Sequence, residues 1–401
     1  MIDSRYAWFR LGVSMLLSAL GGVGMWSVVV ALPAVQQEFG AARGEASLPF
    51  TLTTIGFGLG CVLMGRMSDR FGIVRPVLFG ACSLGVGYML VSMAGSLGQF
   101  AVIYGVCIGL FGTASTFAPL MADISKWFER RRGIAVALCA SGNYIAGAVW
   151  PPLIAFMIRE IGWRAAHFWI GVICVVAMVP LTLLLRGQAP VSAMGASPVA
   201  SGLRGVSGVS PRMLQILLSV AGLFCCIAMS MPQVHIVAYC GDLGYGVANG
   251  ARMLSLMLGF GIISRVGSGF IADKLGGMVT VAIGSFAQMA ALALYLTSDG
   301  LVPLYVISAL FGLFQGGLVP GYAIVIRENF PANETGSRVG IVMMMTLFGM
   351  ALGGWMSGVI FDLTGSYHAA FANGVGWNAL NFLIILYIMT RARTRRVLIT
   401  A

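Results

Sequence analysis

Gly65-Arg66-Met67-Ser68-Asp69-Arg70-Phe71-Gly72 and Gly269-Phe270-Ile271-Ala272-Asp273-Lys274-Leu275-Gly276 share one spacing, G-x-x-x-D-[R/K]-x-G, at an offset of 204 residues. Gly109-Leu110-Phe111-Gly112 and Gly312-Leu313-Phe314-Gln315 repeat at an offset of 203, and Phe128 answers Phe330 at 202. Three matches at a nearly constant offset indicate a duplicated unit. Each glycine-bounded stretch closes a long apolar run, so the duplicated unit is built from membrane spans rather than from soluble repeats.

The composition agrees. Of 401 residues, 59% are hydrophobic and 9% charged, against about a quarter charged in an average soluble domain. So few charges cannot cover a water-soluble fold of this size, and most of the surface must face lipid. A helix needs about 20 apolar residues to cross the hydrocarbon. On that scale the chain predicts spans near 11–34, 47–67, 76–95, 99–123, 133–157 and 165–185, then near 213–237, 247–271, 278–297, 302–325, 338–361 and 369–390. The first stretch has Arg5 and Arg10 before it, as a signal peptide would, but it is too long for one and lacks a clean small-residue cleavage site. It reads as a first helix. Gly187–Pro211, rich in Gly, Ala, Ser and Pro, reads as a flexible linker. The expected layout is an all-α membrane protein of twelve spans: a bundle over 1–186, a cytoplasmic linker over 187–211 and a second bundle over 212–401, related by an axis along the membrane normal.

The net charge of +11 is explained by its placement. Of the 24 Lys and Arg, all but Arg43, Arg159, Arg164, Arg252 and the in-span Arg265 fall in segments on one side. By the positive-inside rule both termini are cytoplasmic. Anionic headgroups account for the charge, and no nucleic-acid partner is expected. The eight cysteines lie in or beside apolar spans, without metal or disulfide spacing. No cofactor, metal or obligatory protein partner is implied.

The duplicated loop has a physical reading. Its Asp can accept hydrogen bonds from the exposed N–H groups of a neighbouring helix start, where the dipole favours an anion. Its Arg or Lys can pair with acidic residues or lipid phosphate. Asp69, Arg70, Arg75 and Arg130 in the first half, with Asp273 and Lys274 in the second, are the expected cytoplasmic latch. An ordinary tight turn carrying positive-inside charge is the plainer account.

Together the twin loops, the six-plus-six layout and the central linker resemble the major facilitator superfamily over the whole chain. Within it, Trp127-Phe128-Glu129-Arg130-Arg131-Arg132-Gly133-Ile134-Ala135-Val136-Ala137, leading to Gly142, resembles the start of the fifth helix in monocarboxylate transporters. Gly21-Gly22-Val23-Gly24-Met25-Trp26 matches their first-helix signature in part, without its acidic residue.

Arg265 lies in the eighth span, eight residues before Asp273 and so about 12 Å from the latch. A guanidinium at that depth costs at least a few kcal/mol unless it faces water or an anion. Glu38, Asp69, Asp123, Asp273 and Asp362 all sit at span ends, so no in-span carboxylate is on offer from the sequence. A planar fork of donors suits a substrate carboxylate; backbone capping or snorkelling is the alternative. The resemblance agrees, because monocarboxylate transporters carry a substrate-binding Arg in this helix. They usually also have an Asp four residues earlier, where Gly261 stands, and often a first-helix Lys, absent here. One embedded cation favours a monoanion, since the eleventh span, Ile341–Phe361, offers no second.

Tyr104, Asn143, Tyr322, Gln315 and Trp26 are further substrate-binding candidates in helices that usually line the cavity in this superfamily; helix–helix hydrogen bonding is the alternative for each. His235 is the candidate proton carrier, against a surface-facing imidazole. The expected function is transport, not enzymatic catalysis: proton-coupled symport of a short monocarboxylate such as L-lactate or pyruvate, by alternating access between two rocking bundles, in a bacterial inner membrane. Export of other organic anions or of amphipathic drugs on the same scaffold is the rival. A membrane enzyme would need clustered in-span His, Asp, Cys or Ser, such as a metal pair at i, i+4, and none is present.

Overall fold

The computed structural model describes residues 3–129, 131–187 and 209–400. Its long elements are all helical: α1 (Arg5–Gly21), α2 (Val23–Phe39), α3 (Arg43–Phe71), α4 (Val74–Ser92), α5 (Leu97–Ile103), α6 (Ala118–Ile124), α7 (Arg132–Leu183), α8 (Pro211–Asp242), α9 (Val247–Leu275), α10 (Gly277–Leu294), α11 (Leu301–Gln315), α12 (Leu318–Asn329), α13 (Ala332–Thr364) and α14 (Tyr367–Thr400). Without water in the hydrocarbon, each span must satisfy its own backbone, which only helices and closed barrels achieve.

Eleven apolar stretches are long enough to cross a membrane, and one of them, Ile134–Leu183, is 50 residues long. It is broken at Gly162, whose φ of 78° lies outside helical space. Counted as two crossings, it brings the total among the described residues to twelve, each overlapping an expected span. The first crossing is itself interrupted, with Gly22 between α1 and α2. The fourth has a wide-turn π-helical run, Tyr104–Thr113, between α5 and α6, a form that is rare outside functional or strained positions. Most of the expected linker, residues 188–208, lies outside the described residues.

Packing gathers the described residues into two units. Val234–Gly259 joins the residues of the first half, and the rest of the second half forms the other unit. Each unit has an internal polar tie where corresponding helices meet. In the first, Tyr88 and Tyr104 both bond Ser27, at 2.6 and 3.0 Å. In the second, Tyr295 bonds Ser308 at 2.9 Å, and its ring lies 4.9 Å from that of Phe371. Tyr295, Ser308 and Phe371 stand at nearly the twin-loop offset from Tyr88, Tyr104 and His167, so the duplication is visible in the core as well as in the loops.

Small residues set the helix spacing. A Cβ on Gly316 would overlap the Gly261 carbonyl, so the chain just past α11 rests directly on α9. Next to it, the Gly317 N–H donates to Ser264 Oγ at 3.1 Å. Gly316→Val should therefore lower the stability of the purified protein by about 1–3 kcal/mol through overpacking. Gly267→Ala, on open helix surface with nothing near the added carbon, should stay within about 0.5 kcal/mol of the parent. Thermal unfolding in detergent reads both.

Candidate functional site

Arg265 sits on α9 opposite the lipid. Ile263, Val266 and Phe270 are 58%, 56% and 66% exposed and mark the outer face of the helix. At 100° per residue Arg265 is roughly 130° round from the centre of that face. It shares its side with the buried Leu258, Gly261 and Ala272, and is itself half-buried. The neighbouring Ser264 makes the contact to Gly317, so Arg265 flanks the α9–α11 seam. A side chain free to snorkel to the interface would not need that face.

Gln315 ends α11 at the same seam. It is fully buried, and its Oε1 accepts from Gln233 Nε2 of α8 at 2.9 Å. Gln233 carried no signal in the sequence, since a lone glutamine after Pro232 looks like any helix polar residue. Tyr322 of α12 is also fully buried, but its hydroxyl is committed: it donates to Asn381 Oδ1 at 2.7 Å. Asn381 in turn donates to Ser285 Oγ at 2.8 Å, and Asn378 donates to the Ser285 carbonyl at 2.8 Å. That network ties α10, α12 and α14 together.

In the first unit, Trp26 and Asn143 come together. Trp26 Nε1 donates to the Asn143 carbonyl at 3.3 Å, and the indole packs over Gly147, where Leu258 also arrives. Asn143 Oδ1 lies against the α1–α2 break, where a Cβ on Gly22 would be 2.9 Å away. That oxygen is buried and has no hydrogen-bond partner among the described residues. Tyr104 is used differently. His167 Nδ1 faces the Trp163 carbonyl at 2.6 Å and must donate to it, so Nε2 accepts from the Tyr104 hydroxyl at 2.7 Å. Proton directions then follow one way, Tyr88 to Ser27 to Tyr104 to His167. The hydroxyls of Tyr104 and Tyr322 are thus spent on holding helices together.

His235 is fully buried, which corrects the surface-facing alternative. Residues 225–240 of α8 are buried on every side, so its apolar run gives no outer face that the sequence could have marked.

The twin loops explain their glycines. Gly72 and Gly276 have φ values of 76° and 84° where α3 and α9 end, a conformation that only glycine adopts without strain. Asp69 and Asp273 are exposed and make no hydrogen bond or ion pair among the described residues. Arg70 and Arg75 lie over the Phe71 ring, at 5.3 and 5.7 Å from its centroid. Lys274 is exposed, and Arg130 lies outside the described residues. The carboxylate that does cap a helix start is Glu328, which accepts from the Gly277 N–H at 2.9 Å. Its counterpart in the first half, Asp123, takes a different partner. It receives a fork from Arg10, Nε at 2.7 Å and Nη2 at 3.0 Å, while Arg10 Nη1 donates to the Leu185 carbonyl and the guanidinium lies 4.7 Å from the Trp127 ring centroid. On the opposite side, Arg43 Nη2 meets both Asp242 oxygens at 3.0 and 3.1 Å, tying the start of α3 to the end of α8.

A family model described as Major Facilitator Superfamily matches residues 14–302 and 280–400. Monocarboxylate transporter 13 of Bos taurus is 28% identical over 347 residues, which are 83% of this chain and 79% of the relative. MFS transporter asaE of Aspergillus flavus is 24% identical over 318 residues, 76% of this chain and 68% of the relative. Among solved structures, a bacterial homologue of the human lysosomal transporter Spinster, inward-facing and unoccupied, aligns with a TM-score of 0.75 at 13% identity, covering 98% of each chain. At that identity the likeness is one of fold.

Proposed function

Because the chain belongs to the Major Facilitator Superfamily, we propose that it is a secondary transporter of short-chain monocarboxylates, L-lactate or pyruvate among them, working by proton-coupled symport. The observation that carries this reading is Arg265: a permanent cation inside a span, turned away from the lipid face of α9 and set at a seam of small residues. A carboxylate is the group that its planar fork binds best. Similarity to proteins named as monocarboxylate transporters supports the same cargo. No Lys or Arg stands in Ile341–Phe361 of α13, which favours one negative charge over two.

Arg265 keeps its proton at any usable pH. The coupled proton must therefore travel on the acid itself or on a titratable group, and the buried His235 of α8 is the candidate. Gln315, Asn143 and Trp26 are also assigned to the substrate, and Tyr104 and Tyr322 to positioning the helices that present it. The cytoplasmic latch is assigned to Asp69, Arg70, Arg75, Arg130, Asp273 and Lys274. We assign the protein to a bacterial inner membrane with both termini cytoplasmic, in line with the positive-inside distribution of its Lys and Arg.

Uptake of labelled L-lactate into proteoliposomes, with and without an inward proton gradient, tests the coupling. The gradient should raise both initial rate and accumulation. Equal uptake in the two conditions removes the symport claim and leaves uniport or exchange.

A further inference from the structure

Gln233 and Gln315 are 2% and 0% exposed and make a single bond to each other. Two aligned amides can make two bonds; here one is made. Gln233 Oε1 and Gln315 Nε2 are buried and have no hydrogen-bond partner among the described residues. Exchanging O and N on both amides leaves the same remainder, one acceptor and one donor, so the point does not depend on amide assignment. A buried donor or acceptor left unmet is expensive, and a pair that served only to join α8 to α11 would meet its own needs or be replaced by apolar side chains.

The remainder has a chemical complement. A hydroxyl donates once and accepts, so it satisfies both atoms together. A ketone oxygen satisfies only Gln315 Nε2, and a methylene satisfies neither. Position points the same way: Gln315 adjoins the Gly316–Gly261 contact, and Arg265 follows Ser264, which bonds Gly317. Arg265 and Gln315 thus stand beside the same α9–α11 contact. We propose that Gln233 and Gln315 form the subsite that reads the substituent on carbon 2 of the bound acid and selects 2-hydroxy acids. This rests on the assignment of Arg265 to the carboxylate.

The test is equilibrium binding to the purified full chain of L-lactate, D-lactate, pyruvate and propionate, acids that share size and charge. Wild type should bind its better lactate isomer at least about tenfold more tightly than propionate, with pyruvate between. The double variant Gln233→Leu/Gln315→Leu should bring the better lactate isomer, pyruvate and propionate to within about twofold of one another. A flat ranking in wild type overturns the inference without needing any variant. So does a wild-type ranking that survives the double replacement. Failure of wild type to bind any of the acids overturns the carboxylate reading itself, and this inference with it, which is a different result from a flat ranking.

Discussion

Arg265→Ala should abolish saturable uptake of a short monocarboxylate by the reconstituted protein, and Arg265→Lys should keep less than about a tenth of it. A bidentate guanidinium–carboxylate pair makes two charge-assisted hydrogen bonds, each worth about 1.5–3 kcal/mol. Losing even 2.7 kcal/mol is about a hundredfold in affinity. Lysine restores the charge on a flexible stem but not the planar fork, so the gap between the two variants separates electrostatics from geometry. Initial rates at several concentrations, corrected for the amount of protein inserted, read the effect. Thermal unfolding of each variant, read alongside, separates loss of folded protein from loss of binding. Undiminished uptake by Arg265→Ala would remove this residue from the substrate path and would favour a broader cavity for other anions or amphipathic cargo.

The second large effect concerns stability. Arg10 is 1% exposed and faces Asp123, the Leu185 carbonyl and the Trp127 ring at once. Removing one member of a buried ion pair strands the other, at about 3–5 kcal/mol. Arg10→Ala and Asp123→Ala should each lower thermal stability sharply and reduce the yield of monodisperse protein. Arg10→Met with Asp123→Leu should recover most of the loss, because an apolar pair leaves no stranded charge. Thermal unfolding of the parent, Arg10→Met, Asp123→Leu and the double replacement forms a double-mutant cycle, and a coupling energy near zero would show that the pair is dispensable. The pair fastens α1 to α6 and to the end of the sixth crossing, within one unit. The variants should therefore lose stability first and transport only in proportion to the folded fraction.

Much of the architecture was legible because hydrocarbon thickness dictates span length and because the twin loops fall at span ends. Gly72 and Gly276 were readable as turn glycines, and their φ values supply the reason. Features that depend on partners distant in sequence were not readable. Arg10 looked like an ordinary positive-inside charge, and only its meeting with Asp123, 113 residues on, makes it a buried pair. The helix-start cap was expected of Asp69 and Asp273, yet in the second unit Glu328 supplies it, from a different helix end. Hydroxyl groups are ambiguous for the same reason. Tyr104 and Tyr322 carry the chemistry of a binding site, but His167 and Asn381 consume it. Conversely Gln233 gave no signal until its amide was seen beside Gln315. Arg265 stood out throughout because charge in hydrocarbon is costly wherever its partner lies.

Competition binding on the purified chain tests the central claim most directly. With a labelled short monocarboxylate bound at saturation, unlabelled monocarboxylates of similar size should displace it. Dicarboxylates and amphipathic cations should not, and Arg265→Lys should show no saturable binding in the same concentration range. Displacement by a dicarboxylate at lower concentration than by any monocarboxylate, or full binding by Arg265→Lys, would contradict recognition of a single carboxylate by that guanidinium.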